Sequence, residues 1–232
     1  MPKYRYDLHI HSALSPCGDD DMTPVNIVAT ASAMGIDIVA IADHNSIKNV
    51  ESAMEVGEVL GVTVVPAFEL QTNEDVHILC LFPDFERLKA FHKKINFTDL
   101  KNRPDIFGKQ LVINSDDEVV EEEESMLLAS AEISEQEAYY LARQYGGVCV
   151  PAHVDREGFG MIAMLGGIPP YYTAVEYSCD GKGTPNLKDL FVIHDSDAHT
   201  LVSIGKGEHY LELEEPSPEA LISLLVNNSK TY

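Results

Sequence analysis

At 232 residues with a hydrophobic fraction of 45%, the chain has the size of one domain and enough apolar material for a large core. Thirty-eight acidic side chains against sixteen basic ones leave a formal charge of -22, a surface that repels a phosphate polymer, so extended nucleic acid is not expected as a partner. No apolar run reaches the ~18 residues of a membrane span, and the chain begins in a strand, with no basic segment or apolar stretch of a signal peptide. Cys17, Cys80, Cys149 and Cys179 have no CxxC spacing, as expected of reduced thiols in a cytoplasmic protein.

The chain opens on a strand in which Tyr4, Tyr6, Leu8 and Ile10 interleave with Lys3, Arg5, Asp7 and His9. Residues two apart in a strand share a face, so His9 and His11 leave the backbone side by side, as two neutral imidazoles need to do to share a metal ion. Residues 12–21 form a polar, turn-rich loop. Thr23 and Pro24 predict a helix start, with Gly35 as its stop. Residues 36–42 are a near-continuous apolar run, the mark of a strand buried on both faces, and they end in Asp43-His44-Asn45. A helix over 50–60 closes at Gly61. Two further buried strands follow, 62–68 ending in Glu69, and 76–82 with His77 near its start. An amphipathic helix is expected over 84–95.

Residues 96–108 read as a loop, 110–124 as a hairpin turning at Asn114-Ser115-Asp116-Asp117, and 126–131 as helical. Ser134 and Glu137 make a capping box for a helix that ends at Gly146-Gly147. A buried strand over 148–152 ends in His153, and 160–165 form a short helix. Short strands over 174–177 and 190–193 follow, the second leading into Asp195-Ser196-Asp197-Ala198-His199. A late strand over 210–213 and a helix from Pro218 through Val226 complete the chain.

Strands and helices alternate, and metal-ligating residue types recur at the ends of apolar strands. That is the pattern of a parallel (β/α) barrel with its site on one face. The set comprises His9, His11, Asp19, His44, Glu69, His77, His153, Asp197 and His199, and holds six of the nine histidines. Glu121 to Glu124 read instead as a solvated edge, and His92 and His209 as structural.

Four of these stretches, Asp7-Leu8-His9-Ile10-His11-Ser12, Ala42-Asp43-His44-Asn45, Pro151-Ala152-His153 and Ser196-Asp197-Ala198-His199, resemble in order the motifs of the PHP (polymerase and histidinol phosphatase) phosphoesterases. Glu69 is similar in place to that family's bridging glutamate. The resemblance implies an α/β fold, a distorted (β/α)7 TIM-like barrel, spanning 1–232 as a single domain, with 96–130 as a local insert over the active site. It also implies two or three divalent ions, Zn, Mn or Fe. The first would be held by His9, His11, Glu69 and Asp197, the second by Glu69, His77 and His153. The third would be held by Asp19, His44 and His199, with Asp20 or Asp21 as alternatives to Asp19. Asp43 would orient His44 or a water rather than ligate.

The implied chemistry is metal-dependent hydrolysis of a phosphate monoester by a metal-bridging hydroxide, with a small phosphorylated metabolite as substrate and the oligomeric state open. Glu69, Asp197 and His199 are the candidate catalytic residues. Arg156, three residues after His153, is a candidate phosphate clamp, its alternative being an ion pair with a surface acid such as Asp155 or Glu157. His194 is a second candidate for substrate contact, and Lys182 a weaker one. Two competing readings are an amidohydrolase-like hydrolase of C–N or carboxylic ester bonds and a non-catalytic metal- or phosphate-binding module. Glu69, standing where amidohydrolases usually carry a carbamylated lysine, argues against the first.

Overall fold

The computed structural model describes residues 1–179, 187 and 190–227. Its elements in chain order are β1 (Lys3–Ile10), α1 (Pro24–Ala33), β2 (Ile38–Ile41), α2 (Val50–Leu60), β3 (Thr63–Val64), β4 (Ala67–Gln71), β5 (His77–Leu81), α3 (Phe85–His92), α4 (Pro104–Phe107), β6 (Leu111–Ile113), β7 (Val119–Glu122), α5 (Glu135–Gln144), β8 (Val148–Pro151), α6 (Met161–Leu165), β9 (Ala174–Ser178), β10 (Phe191–Asp195), β11 (Tyr210–Glu212) and α7 (Pro218–Asn227). Helix starts follow local chemistry. Thr23 Oγ1 accepts from the Asn26 N–H at 3.1 Å with Pro24 at the first turn, and Asp84 accepts from Arg87 N–H at 2.8 Å. At α5, Ser134 and Glu137 exchange hydrogen bonds as a capping box.

The strands pair in four ladders, β11-β1-β2-β3, β4-β5-β8, β9-β10 and the hairpin β6-β7. Backbone bonds beyond the strand ends join the first three into a ring. Asn45 N–H donates to the Glu69 carbonyl at 2.8 Å, Val154 N–H to Glu176 at 2.9 Å, and His11 N–H to Ala198 at 2.9 Å. The order β1, β2, β4, β5, β8, β9, β10 is a distorted TIM-like barrel, interrupted rather than continuously laddered.

Alternation along the strands builds two apolar layers. Leu8, Ala40, Ala67, Leu79, Leu81, Val150, Ala174 and Ile193 fill the interior with Leu221 and Leu225 of α7, which packs beneath. Val39 and Ile41 face outward onto Ile27, Val28 and Ala53 of α1 and α2, while Phe68, Ile78 and Cys80 face Leu88, Phe91 and Ala138 of α3 and α5. Burial on both faces is why these strands read as unbroken apolar runs.

The expectation of an all-parallel barrel is corrected at β5, which runs antiparallel to both β4 and β8. An apolar run carries no direction, so only the pairing reveals this. The reversal has a consequence: it brings His77, the first residue of β5, to the rim where the other strands end. The expected strand over 62–68 is split at Pro66, which has no N–H to donate. Residues 126–131 form turns rather than a helix; Asn45 Nδ2 holds the carbonyls of Leu127 at 2.9 Å and Ala129 at 2.8 Å, which a helix would use internally. The hairpin turns at Asn114 as expected, its side chain accepting from Asp116 N–H at 3.1 Å and Glu118 N–H at 2.9 Å.

Candidate metal centre

Glu69, on β4 and 1% exposed, is the hub. Its Oε1 lies 2.9 Å from His77 Nδ1, 3.1 Å from His153 Nε2 and 3.4 Å from His9 Nε2. Its Oε2 lies 2.8 Å from His44 Nδ1 and 3.6 Å from His11 Nε2. Asp197 Oδ1 approaches His11 Nε2 at 3.1 Å and His9 Nε2 at 3.6 Å. His199 Nδ1 donates to the Asp197 carbonyl at 2.8 Å, and its ring stacks 4.4 Å from that of His11.

The surrounding hydrogen bonds set which imidazole nitrogens face inward. His9 Nδ1–H donates to Glu176 Oε2 at 2.9 Å, leaving the Nε2 lone pair for the cluster. Ser15 Oγ–H donates to Asp43 Oδ1 at 2.7 Å and so accepts from His11 Nδ1–H at 3.0 Å, which likewise leaves His11 Nε2 free to ligate. Such outer carboxylates orient and strengthen metal-ligating histidines. Asp43 also accepts from Ser12 N–H at 2.7 Å and Ser12 Oγ–H at 2.6 Å. Asp7 does the same for the last motif, accepting from Ser196 N–H at 3.1 Å, Ser196 Oγ–H at 2.6 Å and Gly205 N–H at 2.7 Å. Asn45, His153 and Asp197 hold positive φ angles of 50°, 31° and 49°, a backbone cost that clusters at the rim.

The electrostatics are those of one negative hub among imidazoles. Burial pushes the Glu69 carboxyl up, but His77, His9 and His44 together hold it well below the usual carboxylate range. Asp197 is held low in the same way, burial being outweighed by His9 and His11. Burial opposes protonation of His44, yet Glu69 and Cys17 hold it up at about 10. His9 is likewise held well above its ordinary value against burial, by Glu176, Glu69 and Asp197. Burial and the neighbouring His44 push His11 down to about 3.

These residues fit divalent ions. Bonds of about 2.0–2.1 Å in tetrahedral array put ligand atoms about 3.3–3.4 Å apart, and the separations among His9, His11, Glu69 and Asp197 run from 3.1 to 3.6 Å. Glu69 Oε2 and His44 Nδ1, 2.8 Å apart, are buried atoms of the cluster that no hydrogen bond satisfies, as expected of groups available to an ion. His9, His11 and Glu69 form one potential ligand triad, His44, Glu69 and His77 a second, and His11, Cys17, His44 and His199 a third group.

The structure therefore brings together His9, His11, His44, Glu69, His77, His153, Asp197 and His199. It does not bring in Asp19, whose side chain is exposed; only its backbone N–H reaches the site, donating to the His199 carbonyl at 3.0 Å. Asp20 and Asp21 are exposed as well; Cys17, also exposed, is the loop residue that groups with His11, His44 and His199, where an acid is expected from the sequence. Partial desolvation pushes the Cys17 thiol up, but hydrogen bonding from His199 and His44 holds it down at about 7. His194 is also not in the site. Strand alternation turns it away from Ile193 and Asp195, onto the rings of His209 at 4.8 Å and Tyr177 at 5.7 Å. Arg156 is at the rim, its guanidinium paired with Asp197 Oδ2 rather than with Asp155 or Glu157. Lys182 lies outside the described residues. Glu176 escaped the sequence reading; its signal was a charged residue of inward parity within the apolar strand Ala174–Ser178.

A cavity of about 170 Å³ opens onto the cluster between Cys17, Leu128, Arg156 and Phe159. Phe159 stacks on the His77 ring at 4.4 Å and is 43% exposed. A larger groove of about 570 Å³ runs between Met1 and α7 and contains no histidine. Among the described residues, no helix is long and apolar enough to cross a membrane.

The PHP domain profile matches residues 7–162. Among curated proteins the chain is 31% identical over 80 residues to a 5'-3' exoribonuclease of Haemophilus influenzae, covering 33% of this chain and 28% of that one. It is 34% identical over 80 residues to a phosphoribosyl 1,2-cyclic phosphate 1,2-diphosphodiesterase of Eggerthella lenta, covering 32% of this chain and 29% of that one. Each match thus spans less than a third of the relative. Of solved structures, the lesion-specific endonuclease PfuEndoQ of Pyrococcus furiosus superposes with a TM-score of 0.70 at 18% identity, over 97% of this chain and 56% of that one. A putative metal-dependent phosphoesterase of Bifidobacterium adolescentis superposes with a TM-score of 0.57 at 20% identity, over 97% and 96%.

The exclusion of nucleic acid is corrected by these findings. Endonuclease Q, whose fold this chain shares at a TM-score of 0.69 and 16% identity, is described in complex with a 27-mer duplex carrying an abasic lesion at its active site. Net charge summed over a whole surface does not set the field inside a site, which depends on the charges lining it.

Proposed function

The chain belongs to the PHP domain family, a family of metal-dependent hydrolases, and from that premise we propose that it hydrolyses a phosphate monoester on a small phosphorylated metabolite, using two or three ions of zinc, manganese or iron. The observation that carries this reading is Glu69, one buried carboxylate within 3.6 Å of five imidazoles from four strands or strand ends. Bound divalent ions would neutralise the phosphate, acidify water for attack at phosphorus and stabilise the leaving oxygen.

The chain's own groups complete the chemistry. Glu69 and Asp197 supply the anionic ligands, and Glu176 and the Asp43–Ser15 pair fix the tautomers of His9 and His11. His199, with Nδ1–H committed to the Asp197 carbonyl, has only Nε2 available to ligate or to pass a proton to the leaving oxygen. Arg156 sits where it can exchange Asp197 for a phosphate oxygen as the ester enters. A cavity of about 170 Å³ suits a phosphoryl group, with the remainder of the ester lying outward along Leu128, Arg156 and Phe159. Leu128 belongs to the 96–130 segment, which we assign as the local cover of a single domain. Cys80 and Cys149 face one another as thiols at 3.7 Å, which supports a reducing, cytoplasmic setting.

A second substrate reading, a phosphate ester on a nucleic-acid strand, is favoured by the nuclease activities named for the relatives. Phosphate release from mononucleotides and sugar phosphates, run beside 5'-phosphorylated oligonucleotides and an abasic duplex, separates the two. Turnover of the small esters supports the first; strand shortening or nicking without it supports the second.

A further inference from the structure

We propose that Cys17 is a thiolate ligand of a third metal position formed with His44 and His199, which makes that position selective for thiophilic ions. The inference rests on the metal-dependent reading above. One ligand atom from each of His11, Cys17, His44 and His199 lies within 4.8 Å of the others. His11 has both ring nitrogens engaged, Nδ1 with Ser15 and Nε2 with Glu69 and Asp197, whereas His44 faces Glu69 through Nδ1 alone, so Cys17, His44 and His199 are the natural donors of a separate ion.

The thiol is placed there by construction. Ser15-Pro16-Cys17-Gly18 is a β-turn, closed by Gly18 N–H donating to the Ser15 carbonyl at 2.9 Å, with Pro16 at the position that favours proline. Ser15 is anchored by Asp43 at 2.7 Å and also accepts from the His44 N–H at 3.1 Å, so the turn is tied to the strand end that carries a second ligand. Gly18 lets the turn fold flat, because a Cβ there would stand 2.6 Å from the Ser12 carbonyl oxygen. The next residue, Asp19, is pinned by its N–H to His199, the third ligand, while its side chain faces solvent. Both flanks of Cys17 are thus fastened to its prospective co-ligands.

Binding would exchange the S–H bond for a sulfur–metal bond, with the proton released to solvent. One thiolate with two imidazoles favours Zn²⁺, Co²⁺ or Fe²⁺ over Mg²⁺ and Mn²⁺, which prefer oxygen ligands.

The test is Co²⁺ titration of the metal-free protein, followed by near-ultraviolet absorption and by elemental analysis. Wild type is expected to develop a thiolate-to-cobalt charge-transfer band. Cys17→Ser is expected to lose the band and up to one ion per chain. Cys17→Asp is expected to keep the ion without the band and to shift its preference toward Mn²⁺. Mass-spectrometric mapping after alkylation checks wild type without any substitution: Cys17 is expected to be protected by Zn²⁺. Wild type that takes up two or more Co²⁺ without the band, or that leaves Cys17 equally alkylated when loaded, overturns this assignment and spares the phosphoesterase reading. Wild type that takes up no ion overturns both.

Discussion

Glu176 offers a test of how the proposed centre is supported, because among the described residues it hydrogen-bonds to the cluster through His9. Its Oε2 accepts from His9 Nδ1–H at 2.9 Å, and both side chains are fully buried. A buried charged acceptor of this kind fixes the ring and raises its basicity, and loss of such a partner lowers metal affinity about 10- to 100-fold, or about 1.4–2.7 kcal/mol. Glu176→Gln keeps an acceptor oxygen and the side-chain volume and loses only the charge, so it belongs near the 10-fold end. Glu176→Ala loses both and belongs near 100-fold. The backbone bond from Val154 N–H to the Glu176 carbonyl, 2.9 Å, survives either change, so the barrel keeps its local frame. Competition against a chromophoric chelator measures the affinity on folded protein. An affinity for Glu176→Ala within about two-fold of wild type would refute the claim that the outer carboxylate tunes His9.

Three further outcomes follow from the same geometry. Arg156→Ala is expected to raise KM about 10-fold or more while leaving metal content unchanged, since Arg156 bonds a ligand without being one; an unchanged KM would assign it to Asp197 alone. Gly18→Ala is expected to destabilise the protein by about 1–3 kcal/mol in denaturant melts, because its Cβ meets the Ser12 carbonyl at 2.6 Å; a neutral effect would show the loop to be loose. The pH dependence has opposite signs with and without metal. His44, raised to about 10, stabilises the metal-free fold fully below its unfolded value near 6.5, and that stabilisation is lost as pH rises through about 10. Metal ligation needs neutral imidazoles, so loading near pH 7 should release protons, those of His9 and His44 among them, and affinity should rise with pH. Melting temperatures of the metal-free and metal-loaded protein should diverge across that window, and parallel profiles would contradict the assigned protonation.

The cluster residues at strand ends are legible in the sequence because an apolar run followed at once by histidine or acid is a local pattern, as at Ala42-Asp43-His44 and Ala152-His153. Three features are not. The direction of β5 depends on its partners, since a doubly buried strand looks the same read either way. Residue type points to Asp19, Asp20 and Asp21 for the loop donor, whereas the turn Ser15–Gly18 sets Cys17, itself exposed, within reach of His44 and His199 and leaves the three acids outside that group. Glu176 interacts across 167 residues with His9, a contact no local spacing encodes. His194 failed for the opposite reason: proximity to the last motif suggested a role, while strand parity turned it outward.

Elemental analysis of wild type and Glu69→Ala, paired with phosphate release from esters after reconstitution with Zn²⁺, Mn²⁺ or Fe²⁺, tests directly whether Glu69 anchors a metal-dependent phosphoesterase. Because Glu69 reaches both the His9–His11 and the His44–His77 groups, its removal should cost ions at both. Wild type is expected to hold about two or three ions per chain and to turn over, and Glu69→Ala to lose ions and turnover together. Fewer than about one ion per chain in reconstituted wild type, or turnover that survives the loss of Glu69, would contradict that role for Glu69.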